Sequence, residues 1–142
     1  MRALLDINVL IALLDSDHAS HGAAMGWFAE YAREGWASCP ITENGCIRIM
    51  SSAKYPNALP IHSVMQHLAD ACSADVHEFW SDQVSLLNPG VFDRTRIHGS
   101  RQLTDTYLLA LAVSHAGRFV TFDGQVPLAA VRKAKPENLM ML

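Results

Sequence analysis

Basic charge is scarce in this chain. Lys and Arg number 11 against 14 Asp and Glu, a formal net charge of −3, which argues against broad, charge-driven binding to nucleic acid or anionic membrane while leaving room for a local basic patch. Cysteine is scarce too. Cys39, Cys46 and Cys72 are odd in number and include no C-x-x-C pair, so neither a disulfide framework nor a zinc ribbon is indicated and a reducing, cytoplasmic setting is expected. The seven histidines are scattered and form no H-E-x-x-H pattern, which removes the commonest histidine metal motif. Long apolar runs are missing. The longest, Tyr107 to Val113, is far short of the roughly 18 residues of a membrane span, and Asp6 and Asp15 interrupt the apolar start before it takes the form of a signal peptide.

What is present suffices for one domain over residues 1–142. Half of the residues are hydrophobic and 18% are charged, enough to bury a real core. Residues 3–5 read as a short strand that ends at Asp6-Ile7-Asn8, and VLIALLD as a buried helix. Ala23, Ala24, Trp27, Phe28 and Tyr31 recur at helical spacing up to a stop at Gly35. WASC, residues 36–39, reads as a strand ended by Pro40, and 41–53 as a helix. His62 to Ser73 carries an amphipathic helix. Residues 76–80 and 84–87 are two possible short strands, with Asn88-Pro89-Gly90 a turn. Arg101 to Ala116 is rich in strong helix formers, 119–122 is a strand ended by Asp123-Gly124, and the C-terminal NLMML suits an edge strand. Strands separated by helices predict an α/β sandwich with a mostly parallel central sheet.

In such sheets ligands bind beyond the carboxyl ends of the strands. Asp6 and Asp123 follow strands, and Glu43 and Asp105 open helices. Singly, each has an ordinary explanation as a turn residue or a helix cap, the latter for roughly 0.3 to 1 kcal/mol. Together they fall on one side of the sheet if strands and helices alternate. Crowded carboxylates must share protons or bind a cation. An all-oxygen set favours a hard ion, Mg²⁺ or Mn²⁺, which polarises phosphate and activates water. Arg94, Arg96, His98 and Arg101 lead directly to Asp105, where arginine forks can receive phosphate; the alternative is a solvated basic loop.

These stretches resemble the PIN-domain family and, within it, VapC-type toxins of toxin-antitoxin pairs. The resemblance lies in LLDINVLIALLD at 4–15, ITENGCIRI at 41–49 and QLTDTYLLALAVSHAGRFVTFD at 102–123; residues 51–97 match weakly. It implies a PIN fold and a Mg²⁺- or Mn²⁺-dependent endoribonuclease acting on RNA, usually a homodimer held inactive by a cognate antitoxin. Carried over by position, Asp6, Glu43 and Asp105 would be the metal-site acids and Asp123 a more peripheral fourth, with Asn8 and Thr121 supporting them by hydrogen bonds. Where many relatives carry a small hydroxyl residue after the first Asp, this chain has Ile7. The aromatic stripe Trp27, Phe28 and Tyr31 suits either ordinary core packing or a groove for a partner helix.

Three other readings of the residues stand beside this one. A PIN-like domain can bind RNA or a partner without cutting. A haloacid-dehalogenase-like phosphatase also places Asp after its first strand, but its D-x-D pattern needs an acid where this chain has Asn8. An α/β scaffold whose acids only cap helices would lose no metal on Asp6→Asn substitution.

Overall fold

The computed structural model describes residues 1–142. Five short strands, β1 (Ala3–Leu5), β2 (Trp36–Ser38), β3 (His77–Phe79), β4 (Arg118–Thr121) and β5 (Leu139–Met141), line up in the order β3-β2-β1-β4-β5. Every neighbouring pair is parallel, so the sheet is wholly rather than mostly parallel. The helices are α1 (Ile7–Leu14), α2 (His21–Tyr31), α3 (Pro40–Met50), α4 (Ile61–Cys72) and α5 (Leu103–Ser114). No helix is long and apolar enough to cross a membrane.

A parallel sheet is covered on both faces, so its strands read as continuous apolar runs. Alternation along them still decides which core each residue enters. Leu4, Ala37 and Phe119 join the cluster built on α5, while Ala3, Leu5, Trp36 and Val120 join the cluster built on α1, α3 and α4. Helix α5 is buried from Thr106 to Ala112, which explains why its sequence lacks a polar stripe. Each of its buried leucines contributes roughly 1.5 to 3 kcal/mol of gross burial.

Gly35 ends the second helical stretch, as its φ of 89° requires. Asp15 does more than end α1. It accepts hydrogen bonds from the Tyr55 hydroxyl, from Asn57 and from the Asp17 backbone, tying α1 to the loop after α3.

Two expectations are corrected. Residues 84–87 form no strand: the backbone there is satisfied by local turns, with Asn88 donating to Ser85 and Val91 to Asn88, and Leu87 is 81% exposed. Helix α3 stops at Met50, where Ser51 turns its hydroxyl back onto the Ile47 carbonyl. Of the two settings open to the aromatic stripe, Trp27 takes core packing. Trp27 is buried, stacks on Tyr31 at 5.9 Å and donates its indole N–H to the Met140 sulfur.

Candidate active site

Three aspartates meet at the carboxyl edge of β1 and β4, which are neighbours in the sheet. Asp6 follows β1 directly and is only 5% exposed. Its Oδ1 accepts from the Ile7 backbone N–H at 2.7 Å, capping α1. Its Oδ2 accepts at 2.6 Å from Oγ1 of Thr121, the last residue of β4. Thr121 Oγ1 in turn accepts from the Asp123 backbone N–H at 3.0 Å, so one hydroxyl couples the ends of both strands. Asp105 enters from the first turn of α5.

The electrostatics record the crowding. Burial raises the Asp6 carboxyl above its ordinary value against the hydrogen bonds from Thr121 and Ile7, and the charge of Asp123 adds to the rise. Asp105 is pushed up to about 7, first by burial, then by the charges of Asp6 and Asp123, and by a hydrogen bond with Asp123 that needs a proton on one of the two. No basic side chain pairs with these acids, because the two ion pairs of the chain, Met1 with Glu34 and Arg2 with Glu78, lie elsewhere. Three carboxyls gathered without a counter-cation must share protons or take up a cation.

The other expected residues lie differently. Glu43 sits in the first turn of α3 with its carboxylate turned to Ser38. Its Oε1 accepts from Ser38 Oγ at 2.6 Å, and its charge acts on His77, Cys72 and Cys46 rather than on Asp6 or Asp105. The α3 position facing Asp6's neighbour is Gly45, where a Cβ would meet Ile7 Cδ1 at 2.3 Å, so Ile7, the departure from the family pattern, fills that space. Asn8 gives the aspartates no hydrogen bond, and its Oδ1 is buried without a partner. Arg94, Arg96, His98 and Arg101 are all exposed on the run into α5.

Two features escaped the sequence reading. A groove of about 350 Å³ runs beside Asp6 and Asp105 and is lined by Ile7, Pro40, Asn44, Arg48, Asp82 and Thr104; Arg48, the ninth residue of α3, gave no signal of its place there. The second is a cluster of Glu43, Cys72 and His77, whose carboxylate, thiol and imidazole ligand atoms all lie within 4.8 Å of one another. No spacing rule links residues drawn from α3, α4 and β3. Burial holds the His77 imidazole below its ordinary value, and the charge of Glu43 opposes this.

No protein-family model matches the chain. It is 50% identical over 142 residues, the full length of both chains, to Ribonuclease VapC44 of Mycobacterium tuberculosis. It is 44% identical over 125 residues, 87% of this chain and 89% of the relative, to Ribonuclease VapC39 of the same organism. Among solved structures it is similar to VapBC2 from Rickettsia felis bound to a DNA fragment from their promoter, with a TM-score of 0.60, 16% identity and coverage of 88% and 90% of the two chains. It is also similar to Mycobacterium tuberculosis VapC20, a sarcin-ricin loop cleaving toxin, with a TM-score of 0.62, 14% identity and coverage of 94% and 99%. These two likenesses bear on the fold.

Proposed function

This chain belongs to the VapC ribonuclease family, and from that premise we propose that it is an endoribonuclease toxin whose three aspartates hold the divalent ion for phosphodiester hydrolysis. The observation that carries the reading is the meeting of Asp6, Asp105 and Asp123, with Asp105 pushed up to about 7 by its neighbours. A Mg²⁺ or Mn²⁺ ion bound there supplies Lewis-acid polarisation of a phosphate oxygen and a water of lowered pKa.

The chain itself does the positioning. Thr121 and the Ile7 backbone hold the two oxygens of Asp6 in one orientation, so the carboxylate meets its ligand with little rotamer entropy left to lose. Asp105 projects from the rigid α5, and Asp123 closes the cluster from an exposed turn. RNA enters along the groove beside Ile7 and Thr104, where Arg48 offers its guanidinium to a phosphate. Arg94, Arg96, His98 and Arg101 extend the same cationic lining along the run into α5. Glu43, whose carboxylate accepts from Ser38, is the further acid of the same set.

By the same reading the chain pairs with a cognate antitoxin in the cytoplasm and works as a homodimer. The similarity to VapBC2 supports the first of these. The test of function is sequencing of RNA ends in cells that express the chain or its Asp6→Asn variant. New ends at defined positions with the wild type, absent with the variant, support the reading. Identical end profiles, with both proteins folded and present, refute it.

A further inference from the structure

We propose that the pocket next to the groove at the aspartates receives one base of the RNA, and that Asp82 makes it select guanine. This rests on the ribonuclease reading above and adds to it a preference for the sequence that is cut. The pocket has a volume of about 590 Å³ and is walled by Ile41, Leu86, Leu87 and Leu103, with Asp82 and Thr104 among its polar residues. Ile41, Asp82 and Thr104 also line the groove beside Asp6 and Asp105, so the two spaces adjoin. Thr104 directly precedes Asp105. A nucleotide next to the scissile phosphate therefore has its base within reach of the pocket.

The wall is apolar and open. Leu86 is 37%, Leu87 81% and Leu103 41% exposed, and three leucines gathered around one cleft mark a binding surface where scattered single ones would not. A flat base covers such a wall, because single-stranded RNA is read by splaying a base out of its stack, packing its ring on side chains and bonding its Watson–Crick edge. An apolar protein segment fits less well. Laid over the same leucines, it would bury the Asp82 carboxylate, which belongs to neither ion pair of the chain, and an unpaired buried charge is costly.

The polar groups decide which base. Tyr107 is buried in the lining of the pocket, and its Oη has no hydrogen-bond partner. Burial, and then the charge of Asp82, push this hydroxyl up, so the carboxylate is close enough to act on it. A small rotation of the exposed Asp82 side chain gives the Tyr107 proton an acceptor and orients the carboxylate. An ionised carboxylate only accepts, and its two oxygens have about four lone-pair sites, so capacity for a base remains. Guanine presents two adjacent donors, N1–H and the N2 amino group. Adenine and cytosine place an amino group beside a bare ring nitrogen, and uracil places its N–H between two carbonyl oxygens; each of these acceptors repels a carboxylate. Only guanine donates to both oxygens at once, and a bidentate pair of this kind discriminates by roughly tenfold.

The test is cleavage of a random-sequence RNA pool by the purified chain in Mn²⁺ with the product ends sequenced, in parallel with NMR titration of the chain by guanosine or uridine 5′-monophosphate. Guanine should be enriched by about fivefold or more at one fixed position beside the cut. Asp82→Ala should remove that enrichment from whatever cuts remain, and Tyr107→Phe, which keeps the ring and loses the hydroxyl, should lower it. Guanosine monophosphate should shift the amide signals of Leu86, Leu87 and Thr104 and bind more tightly than uridine monophosphate, with the difference gone in Asp82→Ala; this arm needs no turnover. Cuts without base preference, or a guanine preference that survives Asp82→Ala, would overturn the proposal. If no RNA is cut, the ribonuclease reading fails and the nucleotide titration alone decides the pocket. Signals of Leu86 and Leu87 that follow protein concentration and not nucleotide would place a second copy there, which also overturns it.

Discussion

Replacing Asp105 by Asn should stabilise the metal-free protein while removing its activity. The carboxyl of Asp105 is raised from 3.8 to about 7, so the folded chain holds that proton more tightly than the unfolded chain does. The stability this group contributes is fully present below about pH 4, where both states are protonated, and is lost as the pH rises through about 7. A carboxyl raised this far corresponds to an upper bound of about 4 kcal/mol, at about 1.4 kcal/mol per pKa unit. Asp105 is only half-buried, and water screens the effect to about 1 to 2 kcal/mol. Urea denaturation in EDTA at pH 8 should therefore find Asp105→Asn more stable than wild type by that amount, with the gap closing as the pH falls toward 4. Added Mg²⁺ or Mn²⁺ should then stabilise the wild type alone, because an ion that binds only the folded state shifts its stability by mass action. A destabilised variant, or a gap independent of pH, would refute the reasoning.

Two further perturbations probe how the site is held. Thr121→Val removes the donor to the buried Asp6 Oδ2; it should cost about 1 to 3 kcal/mol in denaturation and weaken Mn²⁺ binding by calorimetry, with Thr121→Ser restoring both. Gly45→Ala drives a methyl into Ile7 and should cost about 1 to 3 kcal/mol. Combining it with Ile7→Ala should recover part of that loss, so a double-mutant cycle without coupling would contradict the packing described between α1 and α3.

Much of this arrangement was legible in the residues because local signals and global topology agree. Asp6 after an apolar triplet and Asp123 after FVTF mark strand ends by turn chemistry alone, and adjacent parallel strands bring such ends together. Asp105 was legible because an acid opens a long run of helix formers. Thr121 was expected to support Asp6, and its hydroxyl does so. The hydrogen bond between Glu43 and Ser38 has no local pattern behind it. Whether a helix residue faces one neighbouring strand or another depends on helix rotation, which Ile7 against Gly45 and Ser38 against Glu43 set through tertiary contact. The stretch 84–87 has strand-forming residues, but turns around Ser85 and Asn88 satisfy its backbone instead. Ser38, Cys72 and His77 come together from distant positions and leave no spacing signature at all.

The proposed role of Asp6, Asp105 and Asp123 is to hold together the ion needed for RNA hydrolysis. Its most direct measurement is cleavage of RNA by the purified chain in EDTA and across a Mn²⁺ or Mg²⁺ titration, in parallel with Asp6→Asn and Asp105→Asn. Cleavage that requires the ion and falls at least a hundredfold in both folded variants is the predicted result. Cleavage that persists in EDTA, or full activity in both variants, would contradict it.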